Sequence, residues 1–332
     1  MIGATLCSLD NPEALPEIEI TPPSVRIKFE PNTSPFLGLD GEFVTAKQLQ
    51  QRLEQEKDLN ISLEIEKGVG SSYYVSGRGE LQLSIFIEQM RREGYEFQLS
   101  KPEVILQDID GVKHEPLEEL TIYVPAEYIS EITQEVGKRR GELVNIENDN
   151  GQTCFTYKIL TRDLLGLRRL LMNATKGTAV VSSFVFEYIP FKKQNDFFRK
   201  GVLISSIKGT TLGYALTTVQ ERGKLFVGAS VDVYEGMLLG INNDVSDIII
   251  NPCKERHKTN VRMSHAEVTE ISLKATIPLT IEYVLSFIND DELIEITPKN
   301  IRLRKKLLTE TERNWAKRKN LTAYAKQQLG VE

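Results

Sequence analysis

The fold is decided by residues 73–99, which run YYVSGRGELQLSIFIEQMRREGYEFQL. Residues 73–76 have the aromatic and β-branched composition of a strand, and the glycines that follow allow a tight turn. Over residues 80–93 apolar side chains recur at helical spacing until Gly94 ends the pattern, which predicts an amphipathic helix. Residues 95–99 return to strand composition, so the stretch predicts a strand, a helix and a second strand in succession.

The segments before this stretch complete a larger unit. Residues 25–29 alternate apolar and charged side chains, as a half-buried strand does. Thr45 is a suitable N-cap for a helix that runs to residue 59, and residues 61–65 alternate as another strand. Residues 25–107 are therefore predicted to form one domain with the element order β-α-β-β-α-β.

A second unit with the same order is predicted over residues 116–190. Two successive units of this kind predict the α+β class with two ferredoxin-like split β-α-β domains, although a fold alone does not establish function. The predicted elements are a strand at 117–124, a helix at 125–140, a hairpin of strands 143–147 and 153–159, a helix at 163–175 and a strand at 180–188.

The composition changes after residue 190, where short apolar runs alternate with glycines. We predict a mixed, mostly β C-terminal domain over residues 191–308, of unassigned topology. Residues 1–24 are predicted to be a connector, and residues 309–332 a basic, flexible tail. In the C-terminal domain, the predicted strands are 201–207, 225–227, 231–234, 248–250 and 270–274, and the predicted helices are 210–221, 280–288 and 298–307.

The composition is that of a globular protein without a membrane segment. Of its 332 residues, 40% are hydrophobic and 27% are charged, and no apolar run approaches the ~20 residues that span a bilayer. No basic region followed by an apolar stretch opens the sequence, so no secretory signal is predicted. The three cysteines lie far apart with no CxxC pair, which favours reduced thiols and a cytoplasmic location.

A run of cations in residues 251–262 is the main functional candidate. The run NPCKERHKTNVR mixes cations with small hydrogen-bonding side chains and has almost no apolar residue. Such a stretch cannot build a core, so we predict a protruding basic loop that meets phosphate. Although the net charge is -6, further cations at 192–200 and 302–306 predict a local basic face that is compatible with RNA binding. An ordinary solvated charge run explains these charges equally well.

Two smaller basic clusters are further candidates for RNA contacts. Arg78 lies in the turn at 76–80, where it indicates an interdomain or RNA contact, although a purely structural turn remains open. Residues 162–169 carry Arg162, Arg168 and Arg169, which predict an RNA-facing surface at the start of a helix.

Sequence motifs for catalysis are absent. GxxxxGK[ST], GxSxG and HExxH do not occur, and no GxGxxG opens a helix after a strand. Cys253, His257 and His265 fit no standard zinc spacing and lack a fourth ligand. The carboxylates at 290–292 are best explained as a helix-end turn, although a metal-dependent enzyme built on them remains an alternative. We expect no catalytic residue, metal or cofactor in this chain.

Several motifs resemble one protein family over essentially the whole chain. They are similar to the BipA (TypA) branch of the elongation factor G-like translational GTPases. The motifs at 233–237, 258–262 and 290–298 lie in the domain peculiar to that branch. These motifs are SGRGELQL at 76–83, MRREGYE at 90–96, SKPEV at 100–104, NTSPF at 32–36, VYEGM at 233–237, KTNVR at 258–262 and DDELIEITP at 290–298.

The resemblance implies a domain plan and a function. Residues 25–107 and 116–190 would be the third and fifth domains of the elongation factor G type, and residues 1–15 resemble the exit of a preceding β-barrel. GTP and magnesium would bind a GTPase domain outside this chain, which would itself be non-catalytic. The resemblance further implies ribosome binding in stress or low-temperature translation and in assembly of the large ribosomal subunit.

The resemblance also implies which residues contact RNA. The basic loop would reach the acceptor region of A-site tRNA, and the other arginines would contact ribosomal RNA, with the protein expected to be monomeric. Two motifs depart from the family pattern, since RGLIGFR is RDLLGLR at 162–168 and GTG is GTA at 177–179. The alternative is a ligand-sensing ferredoxin-like regulatory protein that does not bind ribosomes. The candidate contact residues are Lys254, Arg256, His257, Lys258, Thr259, Asn260, Arg262, Arg162, Arg168, Arg169 and Arg78.

Overall fold

The computed structural model confirms the mixed α+β class. It describes residues 7–8, 22–149, 151–192, 199–255 and 273–318. Within these residues the strands form four sheets, with helices packed on them. None of the helices in these ranges combines the length and the apolarity needed to cross a bilayer.

The first unit has the predicted alternation of strands and helices. Its sheet is antiparallel with the order β4-β1-β3-β2, and β5 pairs with β1. The elements are β1 (Val25–Pro31), α1 (Ala46–Leu59), β2 (Glu64–Lys67), β3 (Tyr73–Gly77), α2 (Glu80–Arg92), β4 (Phe97–Leu99) and β5 (Glu103–Val104).

Local chemistry explains both helices of this unit. Thr45 caps α1 in a capping box, since the backbone N–H of Gln48 donates to its hydroxyl over 3.3 Å and the Thr45 N–H donates to the Gln48 side chain over 2.9 Å. The apolar side of α2 is buried on the sheet, where Phe86 lies 5.9 Å from Phe29 between ring centroids. Burial of this stripe, rather than helix propensity alone, holds α2 in place.

The second unit repeats the arrangement with the sheet order β10-β7-β9-β8, and β6 pairs with β7. Its two predicted helices need correction. The first starts with a 3-10 turn at Ala126–Tyr128. The second is broken because Leu165, with φ -54° and ψ 124°, is not helical and Gly166 is left-handed, with φ 72°. The elements are β6 (Gln107–Ile109), β7 (Val112–Pro125), α3 (Ile129–Lys138), β8 (Glu142–Asp149), β9 (Gln152–Leu160), α4 (Thr161–Leu164), α5 (Leu167–Ala174) and β10 (Val180–Pro190).

The C-terminal region contains a four-stranded sheet of order β13-β15-β11-β16, in which β11 and β16 are parallel, and a separate pair of β12 and β14. Its elements are β11 (Val202–Ser205), β12 (Gly209–Thr210), α6 (Gly213–Gln220), β13 (Gly223–Leu225), β14 (Asp232–Val233), β15 (Leu238–Asn242), β16 (Ile248–Ile250), α7 (Ile281–Phe287), β17 (Glu292–Ile296), β18 (Ile301–Lys305) and α8 (Glu310–Arg318).

The hairpin of β17 and β18 extends the sheet of the first unit. Strand β17 pairs antiparallel with β4, which gives a seven-stranded sheet. The helix predicted at 298–307 is therefore wrong. The sequence IRLRK alternates apolar and cationic side chains with the period of a strand, and the buried Leu303 faces the core while pairing with Ile294.

Two separate cores follow from this arrangement. The larger joins the first unit to the C-terminal region, with Phe29, Met90 and Leu239 among its fully buried residues. The smaller lies within the second unit and includes Leu120 and Phe155. The division into domains at residues 107, 190 and 308 stays a prediction, because the larger core crosses two of these boundaries.

Parts of the predicted connector and tail lie outside the described residues. Of residues 1–24, only 7–8 and 22–24 are described. Of the predicted tail, residues 310–318 form α8, where Ala316 is buried. Residues 319–332 are not described, so the flexibility predicted for them stays a prediction.

Candidate nucleic-acid interface

A cleft of about 680 Å³ lies where the two units and the C-terminal region meet. Its walls come from the start of α2, from α4 and α5, and from residues 277–283 at the start of α7. Arg78, Arg168 and Arg169 all line it. The structure therefore brings together three of the four arginines that the sequence singled out away from the basic loop.

Gly166 lies at the point where all three parts of the chain touch. Its backbone N–H donates to Glu80 of α2 over 2.7 Å. Its Cα faces α7 so closely that an added Cβ would lie 2.3 Å from the Cβ of Ser286. With its positive φ and no free space, this position accepts only glycine without strain.

Glu80 is the half-buried acid of this junction. One oxygen accepts from Gly166, while the other has no hydrogen-bond partner among the described residues. Burial raises the pKa of the Glu80 carboxyl above its ordinary 4.5, and the Gly166 N–H together with Arg139 and Arg169 offsets this only in part. Nearby Glu282 raises the pKa further.

Arg169 contacts an aromatic stack. Its guanidinium lies 4.6 Å from the ring centroid of Tyr283. Tyr283 and Phe287 both lie on α7, and their rings stack with centroids 5.5 Å apart and an interplanar angle of 21°. This cation–π contact links the second unit to α7 at the wall of the cleft.

Arg78 and Arg168 are exposed at the cleft. In the part of the chain that the structure describes, no hydrogen bond or ion pair engages either guanidinium. The cleft also contains the carboxylates of Glu80, Glu118 and Glu282. Its electrostatic character is therefore mixed, with free cations beside carboxylate acceptors.

Arg162 does not join this group. Its guanidinium pairs with the buried Glu115 at 3.3 Å, donates to the Lys192 carbonyl over 3.1 Å, and lies 5.6 Å from the ring centroid of Phe191. Burial raises the pKa of Glu115, and Arg162 counteracts this rise. Arg162 is thus engaged within the second unit, and its predicted contact with RNA stays untested.

Most of the predicted basic loop lies outside the described residues. Strand β16 leads into it, Pro252 is buried, and Lys254 is exposed. The remaining loop candidates lie outside the described residues, and so does His265 of the possible metal group. These loop candidates are Arg256, His257, Lys258, Thr259, Asn260 and Arg262.

The carboxylates at 290–292 are engaged by cations. Lys305 lies 2.7 Å from Asp291 and 2.9 Å from Glu292, and Arg199 also pairs with Glu292. Asp290 lies 3.5 Å from Lys101. Among the residues that the structure describes, no group of three His, Cys, Asp or Glu residues is placed to hold a metal ion.

The basic face predicted from residues 302–306 is wrong for its central members. Arg304 and Lys305 are each 2% exposed, because β18, the edge strand of the joined sheet, is covered by residues 236–237, where Met237 bridges to Arg304 and Gly236 accepts from the Lys305 N–H. Arg302 forms ion pairs of 2.9 Å with both Asp40 and Glu295. Lys305 likewise pairs with acids, whereas Arg304 donates to Thr33 and Gln98, so these cations are engaged inside the protein and are not available to RNA phosphates.

A buried network around Glu295 was missed by sequence reasoning. Its carboxylate accepts from Ser34 and Tyr234, each over 2.8 Å, and from Asn32 over 3.2 Å. Burial and the Glu295 charge raise the pKa of Tyr234. Three sequence motifs, NTSPF, VYEGM and DDELIEITP, thus meet at one acid, although each motif by itself gave no sign of this contact.

Two family models match parts of this chain. Residues 112–196, which contain β7 to β10 of the second unit, match the family model described as "Elongation factor G C-terminus". The second unit is therefore a domain of the elongation factor G C-terminal type, and the chain belongs to the class of proteins that share it. Residues 200–310 match the model described as "TypA/BipA C-terminal domain".

Relatives extend the match over nearly the whole chain. It is 39% identical over 325 residues to the large ribosomal subunit assembly factor BipA of Bacillus subtilis (strain 168), covering 97% of this chain and 53% of that protein. It is 42% identical over 320 residues to the same factor of Haemophilus influenzae, covering 96% and 52%. The chain spans about half the length of the curated relatives it matches. It corresponds to the C-terminal part of the BipA/TypA proteins, in the elongation factor G-like group of GTPases.

Proposed function

We propose that this chain is the ribosome- and RNA-binding C-terminal part of a BipA-like translational GTPase that acts in assembly of the large ribosomal subunit. The observation that carries the proposal is the junction cleft, where Arg78, Arg168 and Arg169 converge from segments about 90 residues apart in sequence. The relatives are large ribosomal subunit assembly factors, which supports the ribosome as the partner. Stress or low-temperature translation is the setting that the sequence resemblance adds.

The mechanism is positional rather than catalytic. Both units are split β-α-β domains, as their shared strand order supports, and they dock beside ribosomal RNA. Planar guanidinium groups bind phosphate oxygens with two hydrogen bonds at once, so the free Arg78 and Arg168 fix the register of docking. GTP and magnesium bind outside this chain, and the protein acts as a cytoplasmic monomer.

The basic loop supplies a second contact. Lys254 begins it at an exposed position next to β16, and the cations that follow in sequence suit tRNA or rRNA phosphates. The acceptor region of A-site tRNA is its target. The ligand-sensing alternative is not favoured, because the matched relatives are ribosomal assembly factors.

Co-sedimentation with ribosomes at several salt concentrations tests this function. We expect Arg78→Glu with Arg168→Glu to weaken binding and to reduce the salt dependence, because each lost phosphate contact removes roughly one unit from the slope of log K against log salt. Lys254→Glu should act in the same way. Arg222→Glu is the matched control, since Arg222 is exposed but does not line the cleft. If the cleft variant and Lys254→Glu bind ribosomes as tightly as the original chain and the Arg222→Glu control do, the proposal is contradicted.

A further inference from the structure

We propose that the junction cleft receives one nucleoside phosphate, with the base packed on Arg169 and the phosphate held by Arg78 and Arg168. The nucleotide is either an unpaired nucleotide of an RNA or a free one. For RNA the inference rests on the proposed function, whereas binding of a free nucleotide does not depend on it.

The dimensions and walls of the cleft suit a single nucleotide. Its volume of about 680 Å³ lies within the range of roughly 300–1,000 Å³ that is usual for small-molecule sites. Leu81, Met172, Ile277 and Pro278 form much of the wall, and the first two are 47% and 36% exposed. A duplex keeps its bases stacked inside and its phosphates outside, so only an unpaired nucleotide can place a base against these side chains.

The stack that ends in Arg169 provides a platform for the base. The Tyr283 ring contacts both Phe287 and the Arg169 guanidinium, and the guanidinium plane is the candidate surface for a base. In the described residues, no second ring covers the Arg169 guanidinium. Bases stack on guanidinium planes as they do on aromatic rings, and the aromatic support removes much of the mobility that stacking would otherwise have to overcome.

The charges in the cleft match both ends of a nucleotide. Arg78 and Arg168 are exposed and suit the phosphate. Glu282 is exposed in the lining and offers an acceptor for the amino group of a base, while the less accessible Glu80 and Glu118 already accept from Gly166 and Thr161. A surface that bound only an RNA backbone would gain nothing from the exposed carboxylate of Glu282, because it repels phosphates. This combination of charges therefore favours one inserted nucleotide over a run of phosphates.

Fluorescence of 2-aminopurine tests the inference on the full chain. Three probes are titrated at one salt concentration: 2-aminopurine riboside 5′-monophosphate, an RNA hairpin with 2-aminopurine in its loop, and the same RNA with that base paired. We expect the hairpin loop or the free nucleotide to bind about tenfold more tightly than the paired RNA, because stacking of one base contributes on this scale. Preference for the loop RNA assigns the site to RNA, and binding of the monophosphate alone assigns it to a free nucleotide.

Variants separate stacking from charge. Arg169→Lys keeps the charge but loses the planar group. We therefore expect it to abolish the preference for the loop RNA or the monophosphate over the paired RNA, whereas Arg222→Lys should leave that preference intact. Because Arg169 is partly buried, Arg168→Gln at an exposed position is a second variant, expected to weaken binding of either preferred probe severalfold. Equal affinity for all three probes, or a preference that survives both cleft variants, would overturn the inference.

The outcomes also separate this inference from the proposed function. If the chain does not sediment with ribosomes but binds the monophosphate, the proposed function fails and the cleft remains a nucleotide site. If Arg169→Lys and the original chain bind ribosomes equally and neither distinguishes the probes, the inference fails and the proposed function stands.

Discussion

Gly166 gives the sharpest test of the junction, because one added methyl group meets two separate obstacles there. Its φ of 72° is a left-handed conformation that costs a non-glycine residue about 1–2 kcal/mol. An added Cβ would also lie 2.3 Å from the Cβ and 3.1 Å from the hydroxyl of Ser286, and overpacking of this kind costs about 1–3 kcal/mol. We expect Gly166→Ala to lower the free energy of unfolding by about 2–5 kcal/mol.

Gly177 provides the matched control. It also has a positive φ, 84°, but no described atom lies within 4 Å of an added Cβ. Gly177→Ala should therefore show only the conformational cost. Both variants are compared by urea unfolding, followed by far-UV circular dichroism and by the fluorescence of Trp315, the only tryptophan of the chain. Two probes are needed because the second unit has its own core and can unfold separately.

Ser286→Gly completes the test as a double-mutant cycle. It removes the obstructing Cβ, so it should restore part of the stability lost in Gly166→Ala, with a coupling free energy of at least about 1 kcal/mol. If Gly166→Ala destabilises the chain no more than Gly177→Ala does, or if the coupling is zero, the close approach of Gly166 to α7 is refuted.

Two further predictions concern the half-buried acid Glu80 and the fully buried acid Glu292. The pKa of Glu80 is raised in the folded chain above its ordinary 4.5, so the folded state keeps this proton to higher pH than the unfolded state does. The contribution of Glu80 to the free energy of unfolding therefore falls as the pH rises from 4.5 through the raised pKa. Glu80→Gln should therefore weaken the pH dependence of the free energy of unfolding, measured by urea unfolding between pH 4 and 7. The same pH dependence in the variant and in the original chain would contradict this. Glu292→Gln removes a fully buried partner of Lys305 and should cost about 3–5 kcal/mol in the same assay. The exposed pair of Asp290 makes Asp290→Asn a control that should cost less than about 1 kcal/mol, and equal losses would refute the difference in burial.

Much of the secondary structure could be predicted because its signals are local. Capping by Thr45 and the apolar stripe of α2 identify two helices from neighbouring residues alone. The break at Gly166 could not be predicted in this way, since the helical pattern continues through it. Its cause is tertiary: Arg139 donates to the carbonyls of Asp163 and Leu165 over 2.7 and 2.6 Å and holds the bend.

The joined sheet had no local signal of comparable strength. The pairing of β17 with β4 links residues almost 200 positions apart, such as Ile294 and Leu99. The cations of β18 made the segment seem exposed, because charged residues are rarely buried unless they are paired. Their partners, Asp40 for Arg302 and Glu292 for Lys305, lie far away or on the opposite strand, so the burial could not be recognised from composition.

The candidate site was predictable only as a set of basic clusters. Arg162, Arg168 and Arg169 fall within eight residues, yet the structure directs Arg162 to Glu115 and the other two to the cleft. Sequence spacing cannot separate these outcomes, because the bend at Gly166 lies between them. Arg78 joins Arg168 and Arg169 only through the packing of α2 against α7 and the second unit.

The position of the second unit depends on the same junction that forms the cleft. Its core is separate from the larger one, and across the boundary Leu165 packs on the larger core, Gly166 donates to Glu80, and Arg169 covers Tyr283. A nucleotide in the cleft would contact both sides of this boundary. It would therefore stabilise the arrangement by about 2.7 kcal/mol at a concentration of 100 times its Kd. Gly166→Ala should push α7 and the second unit apart. The substitution that destabilises the chain should therefore also weaken nucleotide binding. Conversely, saturating nucleotide should recover part of the lost stability.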